Sequence, residues 1–416
     1  MSKLKIILRN LGPGLLFASM AIGTSHLVLS TKAGAQYGWV MVIPIILANI
    51  LKYPFFEFGV RYTSVTNKTL IEGYLNRGKG YLWFYAGITL LTTFTILAAL
   101  YTVTAGLFIN LFNITNTSIS IVALGLFLTI STILIFGKYK FLEISLKFVV
   151  SILFVALLTT TVLVLIQGPV SHIEGFKPTP IFNEVGVLFL IGLMGWMPTT
   201  VEASSWISLW SIEKWKTQDK PSLKESLQEF NIGYSITAIL AVFFMIIGWF
   251  TLYGTNIQLS NNAVSFADQV VLLFTEHIGS WAYIFIAISA FATMFSTCLT
   301  AHDALTRVSL DIVSLLNTKT KIFSTKLAFG IGVTILTIIN FIVIATFSAN
   351  MGKLVALATF VSFIVAPIIG YMNLKNVTSN DLAQEFWPGK YLRMLSYFGI
   401  VFLSCFSLYY FYIVIF

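Results

Sequence analysis

The sequence predicts an all-α integral membrane protein of about eleven transmembrane helices, arranged as a five-plus-five inverted repeat in which helices 1 and 6 are broken. Three observations lead there. Hydrophobic residues make up 57% of the 416 and charged residues 10%, with a mean hydropathy of +0.89, whereas a soluble domain carries roughly 25% charged residues. Apolar runs long enough to cross a hydrocarbon core of about 30 Å recur along the whole chain. Two of these runs, five apart, are interrupted at mid-span by residues that break helices.

The runs lie near 12-36, 38-60, 81-111, 118-136, 142-167, 185-211, 230-253, 279-304, 324-347, 353-374 and 394-416, and are numbered here as spans 1 to 11. Their loops sort by charge. Lys3, Lys5 and Arg9 precede span 1; Arg61, Lys68, Arg77 and Lys79 follow span 2; Lys138, Lys140 and Lys147 follow span 4. The same side receives Lys214, Lys216, Lys220 and Lys224 after span 6, Arg307, Lys319, Lys321 and Lys326 after span 8, and Lys375, Lys390 and Arg393 after span 10, making 21 of the 25 basic residues. The opposite loops hold only Lys177 and Lys353, with Lys32 near the end of span 1. This asymmetry places the N-terminus in the cytoplasm and the C-terminus outside, in a plasma or inner membrane.

A net charge of +9 placed this way describes topology in a lipid bilayer, and no nucleic-acid partner is expected. The first run continues through Gly23 to Tyr37 without a small-residue cleavage pattern, so it is read as a span and not as a cleavable leader. Cys298 and Cys405 lie alone in apolar runs and make neither a disulfide framework nor a zinc site. The longest polar stretch, EKWKTQDKPSLKESLQE at 213-229, reads as a loop. The chain is therefore one transmembrane domain, 1-416, with a first repeat at 1-167, a second at 168-374, and helix 11 at 391-416.

Span 1 contains AIGTSHLVLS, in which Gly23, Thr24, Ser25 and His26 are poor helix formers at a depth where polar groups must face protein or water. Span 6 contains LIGLMGWMPTTVEASSW, where Gly195, Pro198, Thr199 and Thr200 fall mid-span and Pro198 removes a backbone donor. Paired discontinuous helices at the first position of each half are how an inverted-repeat transporter builds its substrate site from freed amides, carbonyls and half-helix ends. Gly and Pro are common in membrane helices, so two unrelated kinks are the alternative.

At this point the residues carry a resemblance. The run GPGLLFASMAIGTSHLVLSTKAGAQYGW at 12-39 resembles the first helix of the NRAMP (natural-resistance-associated macrophage protein) family of proton-coupled divalent-metal transporters. Gly12-Pro13-Gly14, Ala33-Gly34-Ala35 with Tyr37-Gly38, and Met197-Pro198 are its anchors, and KYPFFEFGVRY at 52-62 is similar as well. The resemblance implies a LeuT-like fold, a transporter working by alternating access, and a divalent metal ion as substrate. It also exposes departures. The family's Asp-Pro-Gly-Asn, whose Asp and Asn bind metal, falls on Gly23, Thr24, Ser25 and His26. Its Met-Pro-His falls on Met197, Pro198 and Thr199, and a later His on Ser204. Spans 3 and 9, where relatives keep ionisable groups for protons, read ITLLTTFTILAALYTV and FGIGVTILTIINFIVI with none.

The remaining groups still offer chemistry. His26 has an imidazole nitrogen and Met197 a thioether, a pair suited to later first-row divalent ions over Mg²⁺ or Ca²⁺. Glu202, about one turn past the break, is the carboxylate that completes a metal set of His26, Met197 and Glu202 or accepts a proton. Thr24, Ser25, Thr199 and Thr200 add hydroxyls, and unwound carbonyls near Ile22 and Met194 add neutral oxygens.

The alternative substrate is a small organic solute, an amino acid or carboxylate, held by the N–H groups of Gly23-Thr24-Ser25, with Trp196 and Trp206 shaping an apolar pocket. The plain readings are a structural hydrogen bond from His26 to a span 6 carbonyl or Glu202, and a packing role for Met197. Glu57 with Lys52 and Arg61 reads as an ion pair at the end of span 2, and His302 with Asp303 as a gate or salt bridge to Arg307. The histidines are His26, His172, His277 and His302, and no HExxH or GxSxG motif is present, so an enzyme is not expected. No cofactor is implied.

Overall fold

The structure is a computed structural model that describes residues 13-114, 116-137, 154-255, 257-317, 325-347 and 350-415. The predicted basic residues at 3, 5, 9, 138, 140, 147, 319 and 321, and Gly12, lie outside the described residues.

Span 1 is α1 (Pro13–Ala21), an unwound stretch, a π-helical turn (Ser25–Ser30) and α2 (Thr31–Tyr37). Span 2 is α3 (Val42–Thr66), followed by a short α4 (Leu70–Arg77). Spans 3, 4 and 5 are α5 (Lys79–Leu111), α6 (Ile119–Phe136) and α7 (Phe154–Gln167). Span 6 is split into α8 (Glu184–Trp196) and α9 (Ala203–Trp215). Then come α10 (Leu223–Leu252), α11 (Ala263–Ile278), α12 (Tyr283–Leu316), α13 (Lys326–Thr346), α14 (Met351–Val377) and α15 (Lys390–Ile415). Eight of the described helical stretches are long and apolar enough to cross a membrane, and the described residues contain no strand. Both breaks foreseen from the sequence are present.

Local sequence explains where the helices start. Thr69 with Glu72 and Ser222 with Glu225 form reciprocal capping boxes at α4 and α10, while Asn183, Asn262 and Asn350 cap α8, α11 and α14 with their side-chain oxygens. Such caps satisfy amides that the first turn of a helix leaves without an intrahelical partner.

One region departs from expectation. Residues 254-278 lie between spans 7 and 8 and carry no predicted helix, yet Ala263–Ile278 is helical and packs along α5. At about 1.5 Å per residue it is too short to cross the bilayer. Its Ala263, Phe266, Ala267, Val270 and Val271 recur at helical spacing and are buried.

The interior is formed where α1, α5, α9 and α12 meet, backed by α10 and α14. Ile43, Ile46 and Ile50, at spacings of three and four on α3, face outward, as a lipid-facing stripe does. Asn373 of α14 ties the layers, donating to the Phe55 carbonyl of α3 (2.8 Å) and the Ser204 hydroxyl of α9 (2.9 Å). Ser204 thus serves helix packing at the position where the resembled family carries a His.

Candidate functional site

The two breaks lie against each other. Beyond α1 the backbone turns tightly, with the Gly23 amide bonded to the Ala21 carbonyl (2.9 Å) and the His26 and Leu27 amides to the Gly23 carbonyl (3.1 and 2.9 Å). Beyond α8, Met197 is extended and followed by a cis peptide to Pro198. The Ser25 hydroxyl lies between them, 3.0 Å from the Ala21 carbonyl, 3.2 Å from the Pro198 carbonyl and 2.7 Å from His26 Nδ1.

His26 is fully buried and its ring is committed on both sides. Nε2 is 2.9 Å from the Thr237 carbonyl of α10. A carbonyl only accepts, so Nε2 carries the proton and Nδ1 takes the Ser25 hydroxyl proton. The partner is therefore α10, neither the span 6 carbonyl nor Glu202 of the plain reading.

Glu202 is also buried. Its Oε1 accepts from Thr92 of α5 (2.6 Å) and its Oε2 from Thr200 (3.1 Å). Among the described residues no cation lies within ion-pair distance of it. Two thioethers that the sequence reading overlooked sit nearby: Thr199 donates to Met20 Sδ (3.3 Å), and Thr24 Oγ1 lies 3.8 Å from Met294 Sδ.

These groups border a cavity of about 20 Å³ lined by buried residues, room for about one water molecule. Thr24, Ser25, Thr199 and Thr200 line it together with Thr297, Met20, Trp196 and Trp206. Gly23 borders a neighbouring apolar cavity with Ile22, Leu27 and Thr293. His26, Met194, Met197 and Glu202 do not line the first cavity. Glu202 reaches its wall through the Thr200 hydroxyl. No group of three or more His, Cys, Asp or Glu that could hold a metal occurs among the described residues.

Carbonyls at and beside the two breaks have partners within the chain. Thr297 Oγ1 of α12 lies 3.1 Å from the Ser19 carbonyl and 3.5 Å from that of Ile22. Lys52 of α3 donates to the carbonyls of Met194 (3.0 Å), Gly195 (2.9 Å) and Thr199 (2.8 Å). This corrects its assignment to an ion pair with Glu57. Five residues along a helix turn the side chain about 140° away, whereas four bring it back to within about 40°. Glu57 accordingly pairs with Arg61, whose Nη1 also donates to the Phe386 carbonyl (2.9 Å).

A second correction concerns His302, which lies between the Tyr101 hydroxyl (2.9 Å) and the Val333 carbonyl (3.2 Å) and takes no part in a salt bridge. The expected Asp303–Arg307 pair is present (2.8 Å). It extends to Glu213 of α9 (3.4 Å), and Trp210 donates to Asp303 (2.9 Å).

A helical membrane protein whose first and sixth spans break opposite each other around a buried cavity has the architecture of transporters with discontinuous helices. The chain belongs, more specifically, to the family described as natural resistance-associated macrophage protein-like, which it matches over residues 14–413. It is 33% identical over 406 residues to an uncharacterized protein of Pasteurella multocida (96% of this chain, 90% of that one). It is 26% identical over 282 residues to the divalent metal cation transporter MntH of Staphylococcus haemolyticus (64% of this chain, 60% of that one). Among solved structures, the fold is shared with the Eremococcus coleocola manganese transporter (TM-score 0.70, 14% identity, covering 98% of this chain and 87% of that one). It is shared also with MhsT in complex with L-phenylalanine (TM-score 0.61, 14% identity, 96% and 98%).

Proposed function

We propose that this chain is a secondary active transporter that moves a divalent metal cation across the membrane by alternating access, with the cation seated between the two breaks. The observation that carries this reading is the cavity itself. It offers four hydroxyls, Thr24, Ser25, Thr199 and Thr200, beside the Met20 thioether, with the Glu202 carboxylate one hydrogen bond behind its wall. Its volume of about 20 Å³ suits a ligand of about the size of one water molecule or a bare ion. Family membership and the names of the metal-transporting relatives support the same substrate class.

In this reading Glu202 supplies the negative charge that the family's Asp would have supplied at Gly23. His26 and Met197 stand behind Ser25 and Pro198 as nitrogen and sulfur donors that become available when the breaks move. Thioether and imidazole donors favour later first-row ions over Mg²⁺ or Ca²⁺. Access alternates as the halves 1-167 and 168-374 rock about the breaks, with the basic loops on the cytoplasmic side, and Glu202 is the group through which a proton could be exchanged.

A small organic solute is the second reading, favoured by Trp196 and Trp206 on the same wall. Thermal unfolding of the purified chain separates the two. A ligand at 100 times its Kd stabilises by about 2.7 kcal/mol, so Mn²⁺ or Co²⁺ should raise Tm in a saturable way while Mg²⁺ does so weakly. A rise with amino acids or carboxylates and none with any metal would replace the metal reading with the second.

A further inference from the structure

We propose that the break in span 6 is a site for a small monovalent cation and that Lys52 fills it permanently with its own ammonium. The cage consists of three carbonyl oxygens, those of Met194, Gly195 and Thr199, at 3.0, 2.9 and 2.8 Å from Nζ. An ammonium has three N–H donors and no acceptor, and here each donor has one carbonyl. A neutral amine would have only two donors for the three oxygens. Lys52 is fully buried, so water does not supply these bonds.

The position of the cage explains its affinity for a cation. Met194 and Gly195 belong to the last turn of α8, where the helix dipole is negative and carbonyls lack i+4 amide partners, the Met194 oxygen taking only a long bond from the Met197 amide (3.4 Å). Thr199 adds a carbonyl from the unwound segment that follows. Neutral backbone oxygens converging on one point are the donor set that replaces the hydration shell of a monovalent ion. The ion here is tethered to α3 through a side chain and cannot dissociate.

This assignment does not depend on which solute the cavity carries. It withholds the Met194, Gly195 and Thr199 carbonyls from any transported ion. It also removes any requirement for a mobile cation at this break.

The test vacates the cage. Purified full-length wild type, Lys52→Met and Lys52→Arg are unfolded thermally in choline chloride and, at equal ionic strength, in sodium, potassium or methylammonium chloride. The Lys52→Met chain should melt lower in choline and gain roughly 3 °C or more, saturably, with at least one of the small cations. Wild type and Lys52→Arg should not discriminate among the salts. Recovery of folded Lys52→Met only in a small-cation medium would support the proposal equally. A Lys52→Met chain indifferent to the salts, a wild type that responds as strongly, or a Lys52→Met chain irrecoverable in every salt would overturn it.

Discussion

Thr297 occupies the space that a side chain at position 23 would need. A Cβ built on Gly23 falls 2.7 Å from Thr297 Cγ2 and 2.8 Å from Thr297 Oγ1. The position that aligns with the metal-binding Asp of the resembled family is therefore closed by α12, and the Thr297 hydroxyl sits beside the carbonyls of Ser19 and Ile22 that border it.

Restoring the Asp alone should therefore fail. Gly23→Asp is expected to destabilise the chain by about 1–3 kcal/mol, the usual cost of overpacking. Thr297→Ala should recover part of that loss, because residues in contact couple by about 0.5–3 kcal/mol. Thermal unfolding of the two single variants and the double variant measures this coupling. Additive effects would show that Thr297 is not the obstacle.

Ser25 places its hydroxyl between the two breaks and gives its single proton to His26 Nδ1. Ser25→Ala leaves His26 Nδ1 buried without its donor, at a cost of about 1–3 kcal/mol. Once His26 is replaced by Ala, the same Ser25→Ala change should cost much less. A double-mutant cycle in Tm with no coupling would place the Ser25–His26 contact outside the stability of the break.

Asp303 is buried and serves Arg307 and Trp210 at once, while Arg307 extends to Glu213 on α9. Asp303→Ala leaves the Trp210 indole N–H without its acceptor and Arg307 with Glu213 as its remaining carboxylate, and is expected to cost about 1–3 kcal/mol. Glu213→Ala should cost under about 1 kcal/mol, since that contact is partly exposed. Equal losses in unfolding experiments would show that the pairs are not ranked by burial.

The sequence made the breaks legible because Gly23-Thr24-Ser25-His26 and Pro198 are backbone signals, readable without knowing what surrounds them. It also pointed to Trp196 and Trp206, which do line the cavity. What it did not show were the partners. Thr92, Thr297, Met20 and Met294 are ordinary members of apolar spans, and distant segments must fold together before their contacts exist. Lys52 left a trace: a lysine inside ILKYPFF, five residues from its nearest carboxylate, lies on the wrong face for the Glu57 pair. Helix α11, buried on one face, is too short to read as a span.

The central claim is that a divalent cation crosses between the two breaks with its charge balanced by Glu202. The most direct measurement is Mn²⁺ uptake into proteoliposomes by wild type and Glu202→Gln across a pH series. Wild type should take up Mn²⁺ and lose uptake as acid protonates the carboxylate. Glu202→Gln should fold, be slower by about tenfold, a change of about 1.4 kcal/mol, and be nearly independent of pH. Uptake unchanged by Glu202→Gln, or no Mn²⁺ uptake by the wild type, would contradict the account.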